Sequence, residues 1–558
     1  MKSYISRNFI VVAVMLLVVS SVSARVFYIH VSQADMLKQE GERHYKRNIP
    51  LYAYRGDIVD RNGRELAVSA PSVSIWADPS DILDSIDQLA GLSKLIGVDH
   101  FSLRRQAEKS IKKDFMYVKR QVSPAMIDAV KKHGSGIFEF INERKRVYPE
   151  GSVFSHVVGV TDVDGRGVEG VELVFNAHLE GTDGVKSVIR DRLGRSFEVV
   201  DIPRQKKDGQ DIALSIDRNI QYIAYSELRH AVLAHDAAKG MLVVLDVKEG
   251  KILSMVNYPA YNPNERKTMQ PGRIRNRVVT DMFEPGSAIK PFVMAAAFEQ
   301  GVVQKNDILD VSPGYIDVGD KRIKDARDYG KLDMAGVISR SSNVGMIKIS
   351  NKLDKDFLAE RLRDYGLFSS TGSELPGEAV GIFRPSNEWG SVYKNFLSFG
   401  YGVALNALQM ANAYLVVANE GVRRDIGILR DKAGSAGVRV MDRQVALQIR
   451  EMLIGVVEKG GTGVKADTPV YRVAGKTGTA KKLKQGGYSD DSYVAIFSGM
   501  APADNPSIVI TIVVDDPKKN GFYGGQVAAP VFSKTASRIL RYLDVVPDKT
   551  EMLTAVNG

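Results

Sequence analysis

Residues 284–301 read Glu-Pro-Gly-Ser-Ala-Ile-Lys-Pro-Phe-Val-Met-Ala-Ala-Ala-Phe-Glu-Gln-Gly. Ile289, Phe292, Val293 and the run Ala295–Phe298 give a helix that is buried, and Gly301 can stop it. Pro291 has no N–H and is accommodated only in a first turn, so the helix begins at or just after Ser287. Ser287 is thereby set at a helix N-terminus beside free backbone N–H groups. Lys290 comes one turn later on the same face, within reach of the hydroxyl. A serine hydroxyl becomes a nucleophile when a neighbouring base takes its proton, and a desolvated lysine can do so. Taken alone, the pair reads more readily as an N-cap and a snorkelling lysine; Ser110-Ile111-Lys112-Lys113 repeats the spacing without this context.

Two further short motifs stand downstream. Lys476-Thr477-Gly478-Thr479 follows the apolar run Val470–Ala474 and belongs on, or at the end of, a strand. Gly478 removes a side chain where another backbone can approach, which suits an extended peptide along the strand edge. Lys476 is suited to hold a carboxylate or tune the site electrostatically, and Thr477 and Thr479 to donate hydrogen bonds. A phosphate loop ending in Gly475-Lys476-Thr477 would require glycine where Val470 stands. Ser341-Ser342-Asn343 lies between a helix-like stretch over Met334–Ile338 and another beginning near Val344. There a loop serine can relay a proton to an amine and the Asn343 amide can hold a peptide group. Viewed alone, simple helix capping is the plainer account of that tripeptide.

The rest of the chain limits what these motifs can mean. With 558 residues, three or four units of about 150 residues fit. A composition 44% hydrophobic and 25% charged is that of a folded protein, so wholesale disorder is excluded. The absence of cysteine excludes disulfides, thiolate metal sites and a cysteine nucleophile. A balance of 76 basic against 66 acidic residues gives +10, a mild excess. It suits anionic substrates or an anionic membrane surface and is no nucleic-acid footprint. No Gly-x-Ser-x-Gly elbow or His-Glu-x-x-His occurs, and the eight histidines form no evident cluster, so no metal and no cofactor are expected.

Phe9–Ala24 is uncharged, and apolar character resumes after Arg25 as Val26–Ile29. Sixteen helical residues span about 24 Å, short of a hydrocarbon core of about 30 Å, but extension to Val31 suffices. Lys2 and Arg7 precede the run without an acid, which keeps the N-terminus cytoplasmic and exports the remainder of the chain. A cleaved signal peptide, cut after Val22-Ser23-Ala24, is the alternative. From Asn48 to about Lys207, short β-like runs alternate with turns, among them a hairpin over Ile58–Ala67 turning at Asn62-Gly63. Asp162–Gly170 reads as a plain surface loop. Ile82–Gly97 and Met126–His133 have helical spacing. After the charged run Arg204–Gln210 come strong strands at Met241–Val247, Lys251–Val256, Tyr493–Met500 and Ile508–Val514, separated by long helices. The expected class is α+β. The expected divisions are 1–31, cytoplasmic tip and transmembrane anchor; 32–215, elongated mixed stalk; 216–546, the domain with the motifs; and 547–558, a frayed tail.

In this order, the serine–lysine pair, the serine–asparagine loop and the lysine–threonine–glycine strand resemble the motif set of penicillin-interacting serine acyltransferases. The chain is similar to a class B penicillin-binding protein, most of all the division-type D,D-transpeptidase of Gram-negative bacteria. The likeness extends through Arg55–Gly63, Val168–Glu172, Asn276–Asp281, Ser398–Gly402 and Tyr523–Gly525. It implies an antiparallel sheet flanked by helices, carrying Ser287 as the nucleophile toward the D-Ala–D-Ala bond of a peptidoglycan stem peptide. A neighbouring stem's amine would then take the acyl group. It also implies Lys290, Ser341, Asn343 and Lys476 as the catalytic group, and Thr477, Gly478 and Thr479 as substrate contacts. The backbone N–H groups of Ser287 and Thr479 form the implied oxyanion hole. Implied partners are stem peptides, β-lactams, a polytopic membrane glycosyltransferase, other division proteins and the inner membrane. A lactam-hydrolysing or lactam-sensing serine enzyme and a partner-binding division scaffold are the competing readings.

Overall fold

The apolar N-terminal run forms one helix, α1 (Lys2–Ser32), in the computed structural model of the chain, which describes residues 2–37, 46–113, 115–133, 137–190, 196–432, 436–484 and 487–549. The most apolar 18-residue window of its stretch Arg7–Ser32 has a mean hydropathy of 2.4, and the whole stretch has 26 residues. At 1.5 Å per residue that is about 39 Å, enough to cross a bilayer core. The helix passes through Arg25 without a break, with the guanidinium over the Tyr28 ring. It fits a single-pass membrane anchor.

Two compact units are present. The first joins residues 1–55 and 180–209. Apart from α1, it contains a three-stranded antiparallel sheet in which Gly184–Arg190 lies between Lys46–Leu51 and Ser196–Arg204.

The second joins residues 56–179 and 210–558. The hairpin read from Ile58–Ala67 is there, as strands Ile58–Val59 and Glu65–Ala77. Only Gly63 has a positive φ; the Asp60 carboxylate accepts hydrogen bonds from the N–H groups of Asn62 and Arg64 and closes the turn. Glu65–Ala77 continues between Met116–Val122 and Glu139–Val147. Helices Pro79–Asp84, Ala90–Ile96, His100–Ser110 and Pro124–His133 accompany these strands, and a separate apolar core with Ile75, Ile82, Leu103, Val118 and Val130 holds this region.

Asp162–Gly170 is not the plain surface loop expected. Val160–Thr161 pairs with Gly167–Glu169, and the chain then turns into the helix Gly170–Val174, burying Glu172 completely. Arg146 bonds the Glu172 carboxylate at 2.7 Å. A Cβ on Gly170, whose φ is +64°, would lie 2.6 Å from the Val157 carbonyl oxygen. Asp162–Glu169 stays part-exposed to exposed, in keeping with its polar composition; the hairpin and the buried Glu172 after it are what that composition did not show.

The catalytic-motif region is built on β1 (Lys239–Asp246), β2 (Ile252–Tyr258), β3 (Ala474–Lys484), β4 (Gly487–Ala501) and β5 (Ile508–Asp515). They form one antiparallel sheet in the order β2-β1-β5-β4-β3. Around it lie α2 (Arg218–Ala234), α3 (Lys290–Glu299), α4 (Met334–Ser339), α5 (Asn343–Lys352), α6 (Ala407–Ala418), α7 (Arg443–Val457) and α8 (Ala529–Tyr542). Strand side chains alternate between two cores. Met241, Val243 and Leu245 join the core of α3, α6 and α7, whereas Leu242 and Val244 join that of α2 and α8. Both faces are covered, so β1 reads as an unbroken apolar run although its period is two. Every residue of α6 is buried, and a capping box between Asn406 and Gln409 closes its start.

The compact grouping crosses the 215/216 division expected from sequence. Ile212–Ala213 pairs in parallel with Ile58–Val59, and Phe154, Val157 and Leu179 enter the core that contains Met241 and Phe292. The expected fraying does not start at Pro547. Asp548 and Lys549 donate their N–H groups to the Val470 carbonyl, and the Asp548 carboxylate accepts from the Arg472 N–H. Residues 550–558 lie outside the described residues.

Candidate active site

The Ser287 segment begins as a 3₁₀ turn, Gly286–Ile289, and continues as α3 from Lys290, with Pro291 in the first turn. Its neighbours fix the turn. The Tyr414 hydroxyl on α6 donates to the Ala288 carbonyl at 2.9 Å, and the Gly286 N–H donates to the Gly400 carbonyl at 3.2 Å. Glu284 accepts the Gly402 N–H at 2.8 Å. These contacts account for the Ser398–Gly402 stretch, which buttresses the Ser287 turn.

Against this turn lies β3, the last strand of the sheet, with no strand paired to its outer edge among the described residues. A Cβ on Gly478 would fall 2.7 Å from the Pro285 carbonyl oxygen and 3.2 Å from the Ala288 Cβ. Sequence reading allotted that clearance to an incoming peptide. The structure fills it with the chain's own Pro285–Ala288 backbone, so Gly478 is what lets the Ser287 turn sit on the strand.

Ser341 projects from the link between α4 and α5 with φ +60°. A non-glycine residue in that region is held by its surroundings at a cost of about 1–3 kcal/mol, and such residues concentrate at functional sites. Lys290 is fully buried, and its Nζ donates to the Ser341 carbonyl at 2.7 Å, the Asn343 Oδ1 at 2.7 Å and the Ser341 hydroxyl at 3.2 Å. Among the described residues it makes no hydrogen bond to Ser287. Burial is the main influence that pushes the Lys290 pKa well below the ordinary lysine value; the nearby Lys476 charge adds to it and Asp325 opposes it. A neutral Lys290 has two N–H donors, which the carbonyl of Ser341 and the amide oxygen of Asn343 can absorb. Its lone pair is then left for a hydroxyl.

Lys476 is also fully buried, and burial brings its pKa to about 7. Its Nζ makes long contacts to the Thr477 carbonyl and hydroxyl, at 3.2 and 3.4 Å. The Thr479 hydroxyl accepts the Gly524 N–H at 2.9 Å, which ties Tyr523–Gly525 to β3. Ser287, Ser341, Thr462, Thr477, Thr479 and Tyr523 line one cleft of about 510 Å³. The structure therefore gathers Ser287, Ser341, Thr477 and Thr479 on the cleft wall, with Lys290, Asn343 and Lys476 directly behind it and Gly478 under the Ser287 turn.

Residues 240–537 match the family model of the penicillin-binding protein transpeptidase domain, and residues 50–214 that of the penicillin-binding protein dimerisation domain. The chain belongs to the penicillin-binding protein family. It is 38% identical over 553 residues to a probable peptidoglycan D,D-transpeptidase, PenA, of Neisseria meningitidis serogroup A, covering 98% of this chain and 94% of that protein. It is 36% identical to the peptidoglycan D,D-transpeptidase FtsI of Escherichia coli K12, covering 96% of this chain and 91% of that one. The crystal structure of penicillin-binding protein 3 from Mycobacterium tuberculosis complexed with aztreonam is similar, with a TM-score of 0.70 and 29% identity over 90% of this chain and 98% of that one.

Two residues of this penicillin-binding protein's site were not read from its sequence. Asp325 accepts from the Ser342 hydroxyl at 2.5 Å and from the N–H groups of Asn343 and Val344 at 2.5 and 3.1 Å. Its carboxylate thus sits at the start of α5, where the helix dipole favours negative charge, and anchors the loop that carries Ser341. Thr462 shares a 2.9 Å hydrogen bond with the Thr477 hydroxyl. Asp325 precedes Asn343 by 18 residues in a charged turn with no spacing rule to mark it. Thr462 lies in Gly460-Gly461-Thr462-Gly463, which signals a turn but not what the turn faces.

The pKa of Lys476 gives a pH prediction. In the free protein its ammonium persists below about pH 7 and is lost above it. A lactam that presents a carboxylate to the ammonium should acylate more slowly as pH rises past that point, by about tenfold per unit at the limit. Lys476→Arg retains its charge and should remove the falling limb. The check is the second-order acylation constant measured from about pH 5.5 to about 9.5; a parental rate still climbing at the upper end would refute the assignment.

Proposed function

We propose that Ser287 is the nucleophile of a peptidoglycan D,D-transpeptidase that acts through a serine acyl-enzyme and is inhibited by β-lactams. The observation carrying this reading is the Lys290 amine, buried behind the cleft and bonded to both Ser341 and Asn343. Neutral Lys290 takes the Ser287 proton, directly or through Ser341, as Oγ attacks the carbonyl carbon of the penultimate D-alanine. Ser341 passes the proton to the departing D-alanine nitrogen, and Asn343 keeps Lys290 oriented. Lys476, Thr477 and Thr479 receive the peptide's carboxylate, with Lys476 in its ammonium form. The backbone N–H groups of Ser287 and Thr479 face the developing oxyanion, and one such donor contributes about 3 kcal/mol. In the second step an amine of a neighbouring stem attacks the ester.

Residues 1–31 serve as the anchor with its N-terminus in the cytoplasm, residues 32–215 as a stalk outside the inner membrane, and residues 216–546 as the transpeptidase domain. Strand polymerisation then falls to a separate partner, a polytopic membrane glycosyltransferase acting with other division proteins, and the crosslinks are made during division.

Intact-mass analysis after exposure to a labelled penicillin tests the reading. The expected result is one persistent adduct, mapped by peptide digestion to Ser287. Prompt turnover of the adduct would favour the hydrolase, and an adduct elsewhere or none would overturn the assignment.

A further inference from the structure

Every hydrogen bond that the Lys290 amine makes among the described residues goes to one tripeptide: to the carbonyl and hydroxyl of Ser341 and to Asn343 Oδ1. The base role of Lys290, on which this inference rests, therefore depends on what holds that tripeptide. Ser341 stands at φ +60°, where a residue with a side chain persists only when its surroundings keep it there. The hold comes from outside α4 and α5. A hairpin of Tyr315–Val318 and Lys321–Lys324 joins Val318 to Ile347 of α5 and to Phe399 in a small apolar cluster. Asp325 follows directly, its N–H donating to the Gly314 carbonyl at 2.9 Å. One oxygen of its carboxylate accepts from the Asn343 and Val344 N–H groups, at 2.5 and 3.1 Å, and the other from the Ser342 hydroxyl, at 2.5 Å. Beside it the Lys324 carbonyl accepts from Asn343 Nδ2 at 3.1 Å.

Lys324 and Asp325 thus grip Asn343 by both of its nitrogens, which turns the amide so that Oδ1 faces Lys290. The Ser342 hydroxyl, held by Asp325, also accepts the Gly345 N–H at 2.8 Å and caps α5, so the link that carries Ser341 is pinned immediately after it. Charge acts along the same line. Burial depresses the Lys290 pKa most, the Lys476 charge on β3 adds to that, and Asp325 is the charged group that opposes it. We propose that Asp325 is a positioning residue for acylation: from outside the loop its carboxylate holds Ser341 and Asn343 as acceptors of the Lys290 amine, and it sets a negative charge against the ammonium that has to shed a proton before it can act as a base.

Two variants separate position from charge. Asp325→Asn keeps the shape and an oxygen for the Asn343 and Val344 N–H groups but removes the charge; Asp325→Ala removes both. The second-order acylation constant for a labelled penicillin is followed across pH on the full chain in detergent, with the adduct mapped and a thermal melt recorded for each variant. At its pH optimum Asp325→Ala should acylate about 10²-fold more slowly than the parent, the loss that follows when a reacting group is displaced by about 1 Å. Asp325→Asn should stay within about tenfold of the parent at the optimum, while its rising limb moves to lower pH by about 0.5–1 unit, less than the shift of about 1–3 units that a directly paired charge produces. The sign follows from the charge: an ammonium without a facing carboxylate gives up its proton at lower pH, and a loss of stability alone moves no limb. The falling limb assigned to Lys476 should stay where it is. Acylation by Asp325→Ala within threefold of the parent would overturn the proposal, as would a rising limb in Asp325→Asn that stays in place or moves to higher pH; if Asp325→Ala fails to fold, the Asp325→Asn profile decides. A parent with no adduct on Ser287, or whose rate does not fall on the acid side, would instead overturn the base role of Lys290, and the proposal with it.

Discussion

A Lys290→Met chain should acylate with a labelled penicillin about 10²–10⁴-fold more slowly than its parent, the contribution of general-base assistance. Methionine approximates the length and apolar stem of lysine, so the space behind the cleft stays filled. What disappears is the nitrogen that donates to the Ser341 carbonyl and to Asn343 Oδ1. Two part-buried acceptors lose their donor, at about 1 kcal/mol each, while the desolvation of a buried amine is relieved. The melting temperature should therefore move by a few degrees and the acylation constant by orders of magnitude. Stopped-flow acylation together with a thermal melt makes the comparison. Acylation within tenfold of the parent would remove Lys290 from the base role.

The second large effect is expected at a residue with no functional group. Gly478→Val should lower the acylation constant by about 10² or more, because displacing a reacting group by about 1 Å is enough for a loss of that size. The Cβ alone would stand 2.7 Å from the Pro285 carbonyl and 3.2 Å from the Cβ atoms of Ala288 and Ile496. Ile496 belongs to the interior of β4, so the Pro285–Ala288 turn is the part that must yield, and it carries Ser287. Overpacking of this kind costs about 1–3 kcal/mol of stability. Gly272→Ala is the control, since a Cβ there meets nothing within 4 Å. Acylation that falls only in step with the melt would mean that Gly478 serves stability alone.

Much of this site was legible as text. Pro291 placed the start of α3 within three residues, because a missing N–H is tolerated in only one part of a helix. The run Val470–Ala474 put Lys476 on a strand, and the apolar runs of β1, β2, β4 and β5 marked the sheet. Less legible were the pairing of Val160–Thr161 with Gly167–Glu169 and the buried Glu172 after it, and Asp325, which is brought to Ser342 and Asn343 only when the chain folds back.

The order of residues was enough to establish which groups the chemistry has available and which elements carry them, because backbone constraints at proline and glycine and the periodicity of apolar side chains act over a few residues. Folding in three dimensions was needed to bond Lys290 to Ser341 and Asn343 and to fill the Gly478 clearance with the turn that carries Ser287. Those facts depend on segments 50–190 positions apart meeting in one low-dielectric pocket. The desolvation that lowers a lysine's pKa comes into being only with that meeting.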